Sequence, residues 1–293
     1  MEVKNETAWT PAATTTALAL AGAYGHGWVE FAVHTNDGAL DLEQCIQAPD
    51  RLQRDRGDGF APHAFPGIFL DVGQLEEAPP RMGEAKRRRD WQLLHPRVEQ
   101  RLDQYTRAWV AARTAVCEAT QRGEQSGDLL DLRMACLDER LLSVRETVAL
   151  LARADEVIAG KAVESVVSLP ALARCSDIEA LRAEVPPPED VEVARQVAGL
   201  GERLIGIDAL ARAGKYADGL VQAEAVVAEG AQVDHEPLRA RAHLQLGSMQ
   251  VRTGDFAGAE TSLESAFAAA VGLRMFEEAS RAATQLTCLT GIE

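Results

Sequence analysis

Hydrophobic positions follow two different rhythms along the chain. Up to residue 80 they come in short alternating runs. Residues 28–35 (WVEFAVHT) alternate as a half-buried strand does, Asn36-Asp37-Gly38 follows, and residues 39–46 alternate again. An Asp-Gly between two such runs predicts a hairpin, because both central turn positions tolerate positive φ. Residues 67–72 read as a further short strand, and half of the prolines fall in this stretch. The expectation for 1–80 is a small β-containing or irregular region.

After Pro79-Pro80 the rhythm becomes helical. Val98, Leu102, Tyr105, Trp109, Ala112, Val116 and Ala119 recur at alternating steps of four and three, one stripe of one helix. Arg122-Gly-Glu-Gln-Ser126 interrupts it. A second stripe then runs through Leu130, Met134, Leu137, Leu141, Val144, Val148 and Leu151. Neither helix can bury its stripe alone, so the two are predicted to form an antiparallel hairpin with arms of roughly 22 and 28 residues. A shorter helix is expected over 156–168, ended by Pro170. Ser176-Asp-Ile-Glu179 reads as a capping box opening a brief helix that stops before Pro186-Pro187-Pro188. Helix resumes at Glu189, with Val193, Val197, Leu200, Leu204, Ile207 and Ala211 as its buried stripe. Gly199 and Gly201 each weaken it by about 1 kcal/mol relative to Ala. The predicted organisation is 1–80, 81–185 and 189–293, mainly α after the first part.

The last hundred residues are periodic. Gly214-Lys215-Tyr216 recurs as Gly254-Asp255-Phe256 40 positions later, which pairs Leu204 with Leu244, Gly219 with Ala259, Val226 with Ala266 and Val227 with Phe267. The two turn glycines are expected to take positive φ. Gly219 and Ala259 should let helices approach closely, and Tyr216 and Phe256 should fill the gap at each turn. Leu246-Gly247, Gly254-Asp255-Phe256, Ala259 and Ala266 fall at the spacing of the tetratricopeptide repeat (TPR), which this stretch resembles. Residues 275–290 would then be a closing helix on a TPR-like α-solenoid.

A wider resemblance runs from Arg97 onward. It is carried by Ala108-Trp109, Cys117-Glu-Ala-Thr120, Arg122-Gly-Glu-Gln-Ser126, Leu129-Leu-Asp-Leu-Arg-Met134, Cys136-Leu137, Leu169-Pro170, Ala173-Arg-Cys175 and Val185-Pro-Pro-Pro188. These segments are similar to the C-terminal TPR region of bacterial, myxobacterial-type serine/threonine protein kinases. The resemblance implies a helical region that senses or recruits partners beside a kinase domain. Phosphoryl transfer needs a Gly-rich loop, a strand Lys, a catalytic Asp and a metal-binding Asp. The sequence has no G-x-G-x-x-G, no His-Arg-Asp and no Asp-Phe-Gly. The expectation is a non-catalytic interaction scaffold, not an enzyme. The alternative is a component of serine/threonine kinase signalling that acts with a kinase domain encoded elsewhere.

Composition narrows the partners. With 30 Lys+Arg against 45 Asp+Glu the net charge is -15, distributed as -8 over 1–80, zero over 81–188 and -7 over 189–293. A polyanion needs a basic footprint, so nucleic acid is not an expected partner. No apolar run reaches the length of about 18 residues that a membrane span needs. Residues 17–23 are too short, and too few basic residues precede them for a signal peptide. The five cysteines (45, 117, 136, 175 and 288) are odd in number and lack paired spacing. They are expected to be reduced and buried, in keeping with a cytoplasmic protein.

Candidate chemistry is sparse. Gly25-His26-Gly27 is followed by neither a third Gly nor a helix pattern, so it is no phosphate loop. His26, His34 and His63 lie near Asp37, Asp41 and Cys45 but without metal-ligand spacing. The run 55–59 has Pro66 where a calcium loop needs its twelfth-position carboxylate. Cys117 and Cys136 read as packing residues, and Lys86-Arg87-Arg88-Arg89 as a solvated helix entrance. No catalytic residue, metal or cofactor is expected. The richer candidate is the concave surface that the first helix of each repeat would line. Its exposed positions are predicted to be Asp208 and Arg212, then Arg241, Leu244, Gln245, Ser248 and Arg252, then Arg281 and Gln285. Two readings of the four arginines stand side by side. They clasp carboxylates of an acidic protein or peptide partner, since guanidinium forks match these bidentately, or they pair with the chain's own Glu and Asp. The Lys/Asn carboxylate clamp of chaperone-binding relatives is not matched at these positions.

Overall fold

The computed structural model describes residues 85–291, apart from 184 and 187. The hairpin expected within 1–80, its histidines and the run 55–59 lie outside the described residues. Among the described residues the chain is mainly helical and contains no strand. In chain order the elements are α1 (Ala85–Gln121), α2 (Gly127–Ala152), α3 (Glu156–Val167), a 3₁₀ turn (Leu172–Ser176), α4 (Ile178–Ala183), α5 (Val191–Arg212), α6 (Tyr216–Gly230), α7 (Glu236–Thr253), α8 (Phe256–Gly272) and α9 (Phe276–Thr290).

α1 and α2 fold back on each other as their stripes require. Trp109 Nε1 donates to Leu137 O at 2.7 Å, while Val98 and Leu102 earlier on α1 share a buried cluster with Val148 and Leu151 later on α2. Pairing that runs in opposite directions makes the two helices antiparallel. Gly123 turns the chain at φ 70°, and Ser126 Oγ caps α2 by accepting from Leu129 N. The first arm is longer than its stripe implied, 37 residues instead of 22, with Pro96 inside it. Proline removes one helical donor, but burial of Trp91 in the core cluster anchors the turn preceding it.

α3 begins at Asp155, whose Oδ1 accepts from the amides of Val157 and Ile158, and ends at Ser168 as expected. The next cap lies one residue later than its sequence signature. Asp177 Oδ1, not the Ser176 hydroxyl, accepts from Ala180 N, because Ser176 is used to finish the 3₁₀ turn. That turn lies against α2, where Cys136 and Cys175 form a disulfide with their Cα atoms 5.5 Å apart. The expectation of reduced, buried thiols is thereby corrected for Cys136 and Cys175, and for Cys288, which is free but exposed; Cys117 is free and buried, and Cys45 lies outside the described residues. Spacing hid the pair, since the two are 39 residues apart and meet only when the segment after α3 returns across α2.

The remaining helices stack in sequence. α5 packs on α2 and α6, α7 on α5, α6 and α8, and α9 on α7 and α8. Gly214 and Gly254 take φ of 76° and 86° at the two matching turns. A Cβ at Gly219 would lie 2.8 Å from Met249 Sδ, and one at Gly247 2.6 Å from Leu263 Cγ. Those absences set how closely α6 meets α7 and α7 meets α8. The two turn aromatics differ. Tyr216 is half-buried under Arg252, whereas Phe256, expected to fill the same gap, is 47% exposed. One core cluster joins both halves of the described chain, as Ala209 and Leu210 of α5 and Ala213 just after it pack with Val148, Leu151, Ile158 and Ala162.

Candidate partner-binding face

α5, α7 and α9 lie side by side, and the residues singled out on them meet as a polar ladder. Gln245 Nε2 donates to Asp208 Oδ1 at 2.6 Å, linking α7 to α5. Arg281 of α9 places Nη2 4.0 Å from the same oxygen. Gln285 Nε2 donates to Ser248 Oγ at 2.9 Å, and that hydroxyl donates to Leu244 O. Arg241 Nε donates to Glu278 Oε1 at 3.0 Å. Arg252 lies at the far end with its guanidinium 5.5 Å from the centre of the Tyr216 ring, a cation–π distance.

Three predicted placements are corrected. Leu244 is 2% exposed and packs with Leu263, Ala266 and Ala282. Arg241, Gln245, Ser248 and Arg252 repeat at steps of four, three and four, whereas Leu244 is one position off that stripe and turns inward. Gln245 is 6% exposed, so its amide serves the ladder from beneath. Arg212 is half-buried between α2 and α5, with Nη2 3.4 Å from Thr147 Oγ1 and no hydrogen-bond partner on Nε. Burial lowers the Arg212 pKa, with Asp208 and Tyr105 pulling the other way. In the same region burial pushes the Tyr105 hydroxyl up to about 12 against the fields of Arg140 and Arg212, and Tyr105 donates to Pro170 O at 2.7 Å.

Two carboxylates that belong to the face were missed. Glu278 precedes Arg281 by three residues and Gln285 by seven, so helical spacing alone places it on their stripe. Glu277 carried no such signal. It pairs with Arg174 of the distant 3₁₀ turn at 2.8 Å. One pair, Arg281 to Asp208, reaches from α9 to α5 past α7.

No family model matches the chain, and neither a curated protein nor a solved structure matches it. The functional reading therefore rests on the geometry. Among the described residues no cluster of His, Cys, Asp and Glu has the makings of a metal site, and no helix is long and apolar enough to cross a membrane. A hollow of about 500 Å³ between α2, α3 and the α5–α6 turn is bordered by Arg153, Asp155, Lys215, Asp218 and Gln222. Its Asp155 and Lys215 are joined to each other. Burial raises the Asp155 pKa, but Lys215 and the amides of Ile158 and Val157 more than offset this and hold it below the usual carboxylate range.

Proposed function

We propose that the chain is a non-catalytic, TPR-type interaction scaffold that holds a protein or peptide segment along α5, α7 and α9, resembling the regulatory half of a bacterial serine/threonine kinase. The observation that carries this reading is the polar ladder. Side chains from three rigid helices converge on one face, and each is held in place by a neighbour before any partner arrives. Pre-ordering of this kind lowers the entropy lost on binding. Arg241 and Arg281 are each about half exposed (46% each). A guanidinium carries five N–H donors, so either can engage a carboxylate of an acidic partner while keeping its internal contacts.

A photo-crosslinking residue placed at position 241 or 281 should capture a partner, and Gln222 on the exposed side of α6 should not. The charge reversals Arg241→Glu and Arg281→Glu together should abolish capture from a third position on the face, Thr284. Equal capture from position 222, or turnover of a nucleoside triphosphate by the full chain, would overturn the reading. A second reading, partnership with a separately encoded kinase domain, follows from the sequence resemblance. The segments that carry the kinase-region resemblance, around Trp109, Met134, Cys136-Leu137 and Cys175, meet in one buried cluster. Identification of the captured protein distinguishes the two readings.

A further inference from the structure

The segment between α3 and α5 crosses the surface of α1 and α2. It contains a 3₁₀ turn, a six-residue helix and the exposed stretch around Val185 and Pro186. Leu172, Cys175 and Leu181 pack on Trp109, Val116, Met134 and Leu137. Tyr105 donates to Pro170 O, and Arg133 Nε donates to Cys175 O at 3.2 Å. At its outer side Arg174 reaches Glu277 in the first turn of α9, 2.8 Å away. The segment is thus a strap that starts on α2 and ends on the last helix of the candidate face. Its one covalent fixing is Cys136–Cys175.

We propose that Cys136–Cys175 is a thiol–disulfide exchange site that latches this strap. Oxidised, the bond holds Arg174 against Glu277 at the first turn of α9. Reduced, it lets the strap leave α2, breaks that pair and uncovers the apolar cluster beneath. The reductant is a dithiol. One of its thiolates attacks a sulfur of the pair, giving a mixed disulfide and releasing the other cysteine thiolate. Its second thiolate then attacks the dithiol's own sulfur in the mixed disulfide and expels the remaining cysteine as a thiolate, so the dithiol becomes a disulfide while Cys136 and Cys175 gain two electrons and two protons. Both cysteines are buried, but Ala173 and residues 176–179 beside them are exposed, so local opening of the strap at this exposed edge admits the reductant. Release stays local because the other end of the α1–α2 hairpin is held with α3 by a separate cluster built on Val98, Leu102, Val148, Leu151 and Ile158.

Hydrogen exchange on the full chain, oxidised and after dithiothreitol, tests this without any partner, so its outcome is independent of what the face binds. Reduction should speed exchange of amides 172–183 by about 30-fold or more, the lower end of what a cross-link of this loop length contributes. The first turn of α9 should also exchange faster, and α6 to α8 should not change. The Cys136→Ser, Cys175→Ser double variant should show the fast pattern with and without reductant. Unchanged exchange at 172–183 would overturn the latch. Cooperative loss of protection across α1 to α3 would overturn it too, by making the bond a staple for the whole core. Alkylation of Cys136 and Cys175 in protein never exposed to reductant would show that the bond does not form.

Discussion

At Gly247 a missing side chain decides how two helices meet. The site is buried, and an added methyl would lie 2.6 Å from the Leu263 branch carbon and 3.3 Å from Ala259 O. Gly247→Ala should destabilise the protein by about 1–3 kcal/mol, overpacking outweighing the propensity gain. Gly199, exposed in α5 with nothing within 4 Å of its would-be Cβ, should show the opposite sign. Gly199→Ala should stabilise by about 0.5–1 kcal/mol. Urea unfolding of both variants checks the pair, and a loss in both would mean that spare volume at Gly199 has been misjudged. His235 offers a test with pH. Its Nδ1 accepts from Leu238 N as the cap of α7. Burial first, then the charges of Arg241 and Arg239, hold its pKa below the ordinary histidine value. The unfolded chain therefore binds the proton more readily than the folded one. The His235 contribution is complete above the ordinary value of about 6.5 and declines as pH falls below it. His235→Asp keeps a good cap and removes this site's titration. Its stability should drop less between pH 7 and 5, leaving the part due to His243, which burial shifts the same way. An unchanged slope in urea unfolding would show that the cap does not titrate.

Helix order and type after residue 97 were legible, because stripes of apolar residues, Pro170 and the two Gly turns each report a local property. Boundaries that depend on distant partners were not. The start of α1 requires knowing that Trp91 is buried, and the cap of α4 requires knowing that Ser176 closes a 3₁₀ turn. Asp155 shows how a local signal becomes a tertiary one. It caps α3 and also binds Lys215, the residue that precedes α6. Asp155→Ala should therefore cost about 1–2 kcal/mol from the cap alone. Asp155→Asn retains a capping oxygen and gives up only the partly exposed ion pair, so it should cost less, under about 1 kcal/mol. Equal losses for the two variants in chemical denaturation would show that the charge, not the cap, fastens α3 to the α5–α6 turn.

The face formed by the whole molecule was half legible. Helical spacing put Asp208, Arg241, Gln245, Ser248, Arg281 and Gln285 on neighbouring helices, but nothing in the spacing fixes how sharply those helices curve. How closely they pack depends on contacts between elements, Gly219 against Met249 and Gly247 against Leu263, and their relative tilt is open to links that skip a helix. Two such links are charged, Arg281 to Asp208 across α7 and Arg174 to Glu277 across the mouth of the face. Each pair is partly exposed and worth little to stability. Acting at the ends of the row, however, they have leverage on its shape. Arg174→Ala combined with Arg281→Ala should change unfolding free energy by less than about 1 kcal/mol. The same variant should lengthen the distance between spin labels at positions 135 on α2 and 280 on α9, measured with Cys288 replaced by Ser. High salt should lengthen it in the parent protein in the same direction, since it screens partly exposed pairs. A distance indifferent to both would assign the curvature to apolar packing alone and leave the charges only a binding role.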